Sequence, residues 1–422
     1  MNTAQRKLRF CMITTFYPPY GFGGDAVYVH QLSNELAARG HHVTVIHCID
    51  SYNLLSKNRR VLPCVNHPGV EVHGLRSGYG SLSPLATQQS GLPLFKSGQI
   101  REILASGFDV IHFHNISLVG GPGILGYGEG IKLYTLHEYW LVCPTHVLMK
   151  YESAPCVKPS CTLCQIVYKR PPQLWRHTGL LKNSLKHLDA IISPSRFAMK
   201  IHEDSGIDVP ITHIPHFAPD GYGPIGPDET DDVEIPDKPF FLYAGRIETL
   251  KGVQNLVPVF RGYAKADLVI AGEGNYESRL RKAAGGADNI HMPGHLSRAR
   301  LTRLYKRAVA LIVPSINYEI STLVIFEAFR EKTPVIVNNI GAPPELIEYS
   351  GGGIVYNSEA ELVGAMDLLL ADPSYRDELG RRGYEAYLRK WNPESHLSLY
   401  LDLIERIGSR KKARQRALPS GT

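Results

Sequence analysis

At 422 residues, 43% apolar and 20% charged, the chain is too long for one ordinary core and too apolar to be disordered, so two or three globular domains are expected. A formal net charge of +6 and a pI of about 8.8 suit anionic small molecules or a membrane surface. They fall far short of the dense positive field that nucleic-acid binding needs, so nucleic acid is not an expected partner.

Arg6, Lys7 and Arg9 precede an apolar run. Pro18, Pro19 and the nearby glycines cut that run short, so it reads as a first strand and not as a signal peptide. Residues 25–39 carry Val29, Leu32 and Leu36 at helical spacing and stop at Gly40. Short apolar runs at 43–48, 109–114, 132–137 and 190–195 then alternate with helical patterns. That alternation predicts βαβ units and a parallel sheet. The pattern pauses over residues 211–239, which hold six prolines, three glycines and an acidic run at 228–234; this is the linker candidate. It restarts at 240–245, 267–272, 289–294, 310–314 and 334–338. The fold class is therefore α/β, with two Rossmann-like domains facing a cleft. A last helix over about 393–407 follows Trp391 and is expected to cross back to the first domain. No window approaches the ~20 apolar residues that span a bilayer. Seven cysteines, an odd number in a long chain, argue for a reducing compartment and against a disulfide framework.

The stretch from Glu319 to Glu327 places one carboxylate in the loop after a strand and the second inside the next helix. Open α/β sheets bind ligands at such strand ends. The amides from Ser321 to Val324 would face an anion at that helix N-terminus. A carboxylate on each side of the anion suits a sugar nucleotide, one holding ribose hydroxyls and the other sugar hydroxyls. Arg246 and Lys251 flank the loop after the strand at 240–244. A guanidinium fork with a flexible ammonium can clamp a diphosphate and stabilise the charge that develops as it leaves. Gly23 and Gly24 allow a backbone to approach a phosphate. Their spacing is not that of G-x-G-x-x-G, and a plain strand-to-helix turn is the alternative reading of that loop.

Four motifs occur in order: Gly23-Gly24 after the first strand, Arg39-Gly-His-His-Val43, Gly245-Arg246 through Lys251-Gly252, and the Glu319/Glu327 pair. Together they make the chain resemble a retaining GT-B glycosyltransferase of family 4 (glycosyltransferase group 1), over about residues 8–403. The resemblance implies an N-terminal acceptor-side domain (1–217), a C-terminal nucleotide-sugar domain (218–392), a crossing helix (393–409) and a basic tail (410–422). It implies that Arg246 and Lys251 bind the donor diphosphate, Glu327 the ribose, and Glu319 the donor sugar. Thr322, Leu323 and Val324 would turn over the distal phosphate. Gly272-Glu273-Gly274 and Gly294-His295-Leu296 would line the base pocket, and His114 would face the sugar. His112 shares a strand face with His114 but lies further from the strand end; a satisfied strand histidine remains the other reading for both. The implied activity is a hexosyltransferase reaction from a nucleoside-diphosphate sugar, UDP first among the candidates, to a hydroxyl acceptor: a lipid-linked or polysaccharide intermediate, or a secondary metabolite. The alternatives are a GT-B epimerase, a phosphorylase or a non-catalytic sugar-binding protein. No Asp-x-Asp is present to hold a metal on the diphosphate, so no cofactor is expected for catalysis. The implied location is cytoplasmic, with the inner face of the membrane as a further expectation.

Departures from the family pattern are Ile320-Ser321-Thr322 in place of Gly-Phe-Gly, His216-Phe217 in place of Asn-Gly, and Pro258, which interrupts the helix expected after Lys251. Cys143, Cys156, Cys161 and Cys164 fall within 22 residues. They could close a structural zinc site or remain free or redox-paired thiols, and in either case would shape a lid on the acceptor side. The basic tail and Lys169, Arg170, Arg176, Lys182 and Lys186 suggest a peripheral membrane contact, with a solvated tail as the alternative.

Overall fold

The computed structural model describes residues 6–56, 64–218 and 235–417. Two parallel sheets dominate it. The first contains β1 (Arg9–Ile13), β2 (His42–Cys48), β3 (Val70–Leu75), β4 (Val110–Phe113) and β5 (Ile131–Thr135). A small antiparallel hairpin follows, β6 (Met149–Lys150) with β7 (Ala154–Pro155), and then β8 (Ala190–Ser193) and β9 (Ile211–His213) complete the sheet. The order is β3-β2-β1-β4-β5-β8-β9. The second sheet contains β10 (Phe240–Ala244), β11 (Asp267–Ala271), β12 (Ile290–Gly294), β13 (Leu311–Val313), β14 (Val335–Asn338) and β15 (Gly353–Tyr356), ordered β12-β11-β10-β13-β14-β15.

Strand order reverses beside β1, where Phe10 pairs with both Val43 and Val110. It reverses again beside β10, where Leu242 pairs with Leu268 on neither face but with Val269 and Leu311 on its two sides. Helices that leave in opposite directions from such a switch point open a crevice at the strands' carboxyl ends. The loops ending β1 and β4 carry Gly23, Gly24 and His114. Those ending β10 and β13 carry Arg246, Lys251 and Glu319.

The central strands are buried on both faces, as the apolar runs require. The C-terminal helix belongs to the first sheet's core: Leu397, Tyr400, Leu403 and Ile404 pack with Phe10, Val43 and Val110. It runs from Pro393 to Ala417. The basic segment expected to form a separate tail is therefore helical through Ala417, and Lys411 pairs with Asp189 at 2.6 Å. The pause expected from residue 211 also starts later. Ile211–His213 is a sheet strand, and Ile214 and Phe217 are buried. The acidic run at 228–234 lies outside the described residues. Pro258 occupies the third position of the helix Leu256–Arg261, where its missing N–H costs no interior bond. Two 3-10 turns, Thr249–Lys251 and Val253–Asn255, precede it. Among the described residues no helix is long and apolar enough to cross a membrane.

Candidate donor and acceptor cleft

Three strand-end loops of the second sheet are laced backbone to backbone. Gly245 N donates to Ala271 O at 3.0 Å, Ile247 N to Glu273 O at 2.8 Å, and Gly272 N to Gly294 O at 2.8 Å. Glycine is required at Gly272: its φ is +144°, and a Cβ there would lie 1.9 Å from Gly245 O. Glu273 and His295 are exposed on this rim, and Leu296 packs inward.

Arg246 leaves the rim toward the first domain. Its Nη1 pairs with Glu248 at 3.0 Å. Its guanidinium lies against Gly23, where an added Cβ would sit 3.7 Å from Cζ. A Cβ on Gly24 would lie 3.5 Å from the Leu323 side chain. The glycine pair, whose first member has φ +73°, thus touches the two elements expected to hold the phosphates.

Lys251 Nζ donates to both oxygens of Glu319, at 2.7 and 3.0 Å. Ser315 Oγ adds a third bond to that carboxylate at 2.8 Å. Glu319 is buried. Next to it, the helix Leu323–Arg330 begins with Thr322 at its N-cap and no side-chain cap bond. The Ser321 and Thr322 hydroxyl oxygens are buried without a hydrogen-bond partner. An uncapped helix N-terminus with two idle hydroxyls is a ready anion site. One turn on, Glu327 accepts from Tyr305 Oη at 3.0 Å. Burial pushes its carboxyl above the usual range, against the pull of Tyr305 and of Arg298 and Arg330.

Across the cleft, His114 is fully buried. Its Nδ1 meets His137 Nε2 at 3.0 Å, and its Nε2 has no partner. His112 differs, because both of its nitrogens are used, on Tyr400 and Thr135 at 2.8 Å. Burial, then the neighbouring imidazoles, holds both rings well below the ordinary histidine value.

The sequence reading missed several residues here. His216 stacks on Tyr28 with ring centroids 3.9 Å apart, and His137 stacks on His216. His396 bridges Tyr28 Oη and Pro215 O at 2.9 and 2.6 Å. Asp25 Oδ2 accepts from Asn115 Nδ2 at 3.1 Å, and burial, then Glu138, raises its carboxyl. Glu138 pairs with His146 at 2.7 Å and leaves its Oε1 unpartnered. Burial works to raise Glu138, but His146 together with Arg170 and His137 outweighs it, and the carboxyl sits below its ordinary value.

The four clustered cysteines are free thiols: Cys143 and Cys164 buried, Cys156 partly so, Cys161 exposed. Among the described residues no group of three or more His, Cys, Asp or Glu is placed to hold a metal ion. The closed zinc set therefore does not fit these side chains as they stand. The thiols are still close enough to act on one another. Burial, then the neighbouring thiols, raises Cys156; Cys161 is raised by burial and then by Cys143.

The profile of Glycosyltransferase Family 4 matches residues 22–221. That of Glycosyl transferases group 1 matches residues 228–386. Glycogen synthase of Mycobacterium tuberculosis is 25% identical over 408 residues, covering 87% of each chain. An uncharacterized glycosyltransferase of Methanocaldococcus jannaschii is 28% identical over 184 residues, 41% of this chain, and the match spans only 47% of that protein's length. Sucrose-phosphate synthase from Thermosynechococcus elongatus superposes with a TM-score of 0.70 at 20% identity, over 96% of this chain and 100% of the other. HepE of Anabaena, solved in complex with UDP, superposes with a TM-score of 0.64 at 13% identity, over 94% and 100%. With both halves matched in order and the two-sheet architecture shared, the chain belongs to the family 4, group 1 glycosyltransferases and has their GT-B fold.

Proposed function

We propose that this nucleotide-sugar glycosyltransferase takes a hexose from a nucleoside-diphosphate sugar, UDP first among the nucleotides, and transfers it with retention of configuration to a hydroxyl acceptor. The observation that carries this reading is the meeting of Arg246, Lys251 and the uncapped helix at Leu323 with the Gly23-Gly24 turn across one cleft. Cations, a helix N-terminus and bare backbone converge there on a space suited to a diphosphate. The UDP held by the similarly folded HepE is the reason for ranking UDP first.

In this mechanism the Glu273–His295 rim takes the base and Glu327 the ribose hydroxyls. Arg246, Lys251 and the first-turn amides of the helix take the diphosphate. Glu319 and the free Nε2 of His114 take hydroxyls of the sugar. As the bond from sugar C1 to phosphate oxygen breaks, the departing charge falls among those donors, which supply the electrostatic stabilisation without a metal ion. The acceptor oxygen bonds to C1 on the face the phosphate leaves, and its proton passes to a phosphate oxygen. A lipid-linked or saccharide hydroxyl is the proposed acceptor, and the nucleotide-sugar supply sets the cytoplasm as the place of action.

The test is a thermal-shift screen of nucleotide sugars, followed by release of free nucleoside diphosphate from the one that binds. A ligand at 100 times its dissociation constant stabilises by ~2.7 kcal/mol. Binding and turnover lost in Arg246→Ala support the reading. No stabilisation by any nucleotide sugar rejects it. Stabilisation without diphosphate release identifies a non-catalytic binder.

A further inference from the structure

The segment between the hairpin and β8 has a surface that transfer chemistry does not use. In the helix Cys161–Val167, Cys164 and Gln165 face inward. Leu163, Ile166 and Val167, at i, i+3 and i+4, face solvent on one side. Val157 before the helix and Leu174 after it are also exposed. These five side chains are between 43% and 84% exposed. An unpartnered apolar helix face of this kind marks an interaction site.

Charge decides the partner. Residues 153–188 contain six Lys or Arg and no Asp or Glu. Arg176 turns inward onto Trp140 and Trp175, but Lys158, next to Val157 in the chain, and Lys169, two positions after Val167, are exposed, as is Lys182. Exposed apolar side chains in a stretch whose charged residues, from 153 to 188, are all basic match an anionic lipid surface: the apolar groups enter the acyl boundary and the lysines meet the headgroups. The terminal basic helix is a weaker candidate, since Lys411 is already committed to Asp189 and Gly130 O.

Position gives the contact a purpose. The segment leaves the cleft at Cys143, which packs with Tyr139 and Ala198 against Ile320, the neighbour of Glu319. We propose that the exposed face of residues 157–174 seats the enzyme on an anionic membrane surface, beside the mouth through which a lipid-linked acceptor enters. This deepens the transferase reading by naming where the acceptor comes from. Vesicle binding is measured without turnover, so either reading can fail alone.

The experiment is flotation of the full chain with phosphatidylcholine vesicles containing about one-third phosphatidylglycerol. Wild type is expected to float with them at low salt. The combined Leu163→Ser, Ile166→Ser and Val167→Ser variant should lose about tenfold or more in partitioning. Lys158→Glu with Lys169→Glu should lower binding to the level that high salt gives wild type. Lys412→Glu with Arg414→Glu should bind as wild type. Unchanged melting temperatures establish that the variants fold, and the charge pair carries the test if the serine variant does not. Equal partitioning of wild type, serine and charge variants overturns the proposal, as does wild type that ignores the vesicles. So does self-association in light scattering that the serine variant abolishes without loss of vesicle binding, because the face is then a protein interface.

Discussion

Lys251 and Glu319 are ion-paired, with Nζ 2.7 Å from Oε1. The residue proposed to bind phosphate is thus neutralised by the residue proposed to bind sugar. A partly buried pair of this kind costs desolvation, most on the buried Glu319, and is disrupted when one partner is removed. Donor binding would draw Lys251 toward the diphosphate and release Glu319 for sugar hydroxyls, so the two functions are coupled through one contact. Glu319→Gln should tighten free UDP several-fold, because Lys251 is no longer held, while turnover falls ~10²–10³-fold. Lys251→Ala should weaken UDP and lower turnover together. Calorimetry with UDP and a diphosphate-release assay separate these outcomes. Equal loss of UDP affinity in both variants would mean the pair is structural only.

Glu327 and Tyr305 form the second pair with a readable consequence. If the Glu327 carboxyl holds ribose hydroxyls, Glu327→Gln should cost UDP about 1–3 kcal/mol. The same substitution should cost much less against 2′-deoxy-UDP, which already lacks one hydroxyl. Tyr305→Phe removes the donor that opposes the burial-driven rise of Glu327, so its penalty should grow as pH falls. Identical penalties for the two nucleotides would place Glu327 outside the ribose site.

Legibility in the sequence followed depth of burial. The inner strands β1, β4, β10 and β13 are short apolar runs because both faces are covered, and their pattern is visible without a structure. Within the two large sheets the unread strands β3, β9 and β15 all lie at edges, where Val70–Leu75 and Gly353–Tyr356 are only partly buried and contain glycine or polar residues. The phosphate side of the cleft was legible because each loop announces itself locally by glycine and charge. The histidine cluster was not, since His396 meets Tyr28 across 368 residues of chain. An acid such as Asp25 in a first helical turn is ordinary, so its burial beside Asn115 and Glu138 had no signal of its own.

The cysteines give a direct chemical test of the lid. Cys161 is the exposed thiol of the four, while Cys143 and Cys164 are buried. Without denaturant, Cys161 should alkylate first, slowed by its raised pKa, and Cys143 and Cys164 only with unfolding. Mass mapping after short labelling reads this order. If all four resist until a chelator is added, zinc closes the set after a rearrangement of these side chains.

The histidine cluster makes stability depend on pH in one direction. His112, His114, His216 and His396 are buried around Tyr28 and Tyr400, with the partly buried His137 among them. Burial holds His137 and His396 down to about 4 and the others well below their ordinary value. These rings are neutral in the folded state. The unfolded chain takes up protons near pH 6.5 and the folded one does not, so unfolding is favoured as pH falls. Their contribution is fully present above about pH 6.5 and is lost as pH drops toward 4. Each such ring adds a slope of up to about 1.4 kcal/mol per pH unit within that window. His216 isolates one increment cleanly, because its Nε2 has no partner and its ring stacks on Tyr28 at 3.9 Å. His216→Phe keeps the stacking and removes the titration. Urea unfolding at pH 7.5, 6 and 5 should therefore show a steep loss in wild type and a slope shallower by about one proton in the variant. Identical slopes in the two proteins would mean that His216 already exchanges its proton with water in the folded state, and a wild-type stability unchanged between pH 7.5 and 5 would mean the same for the whole cluster.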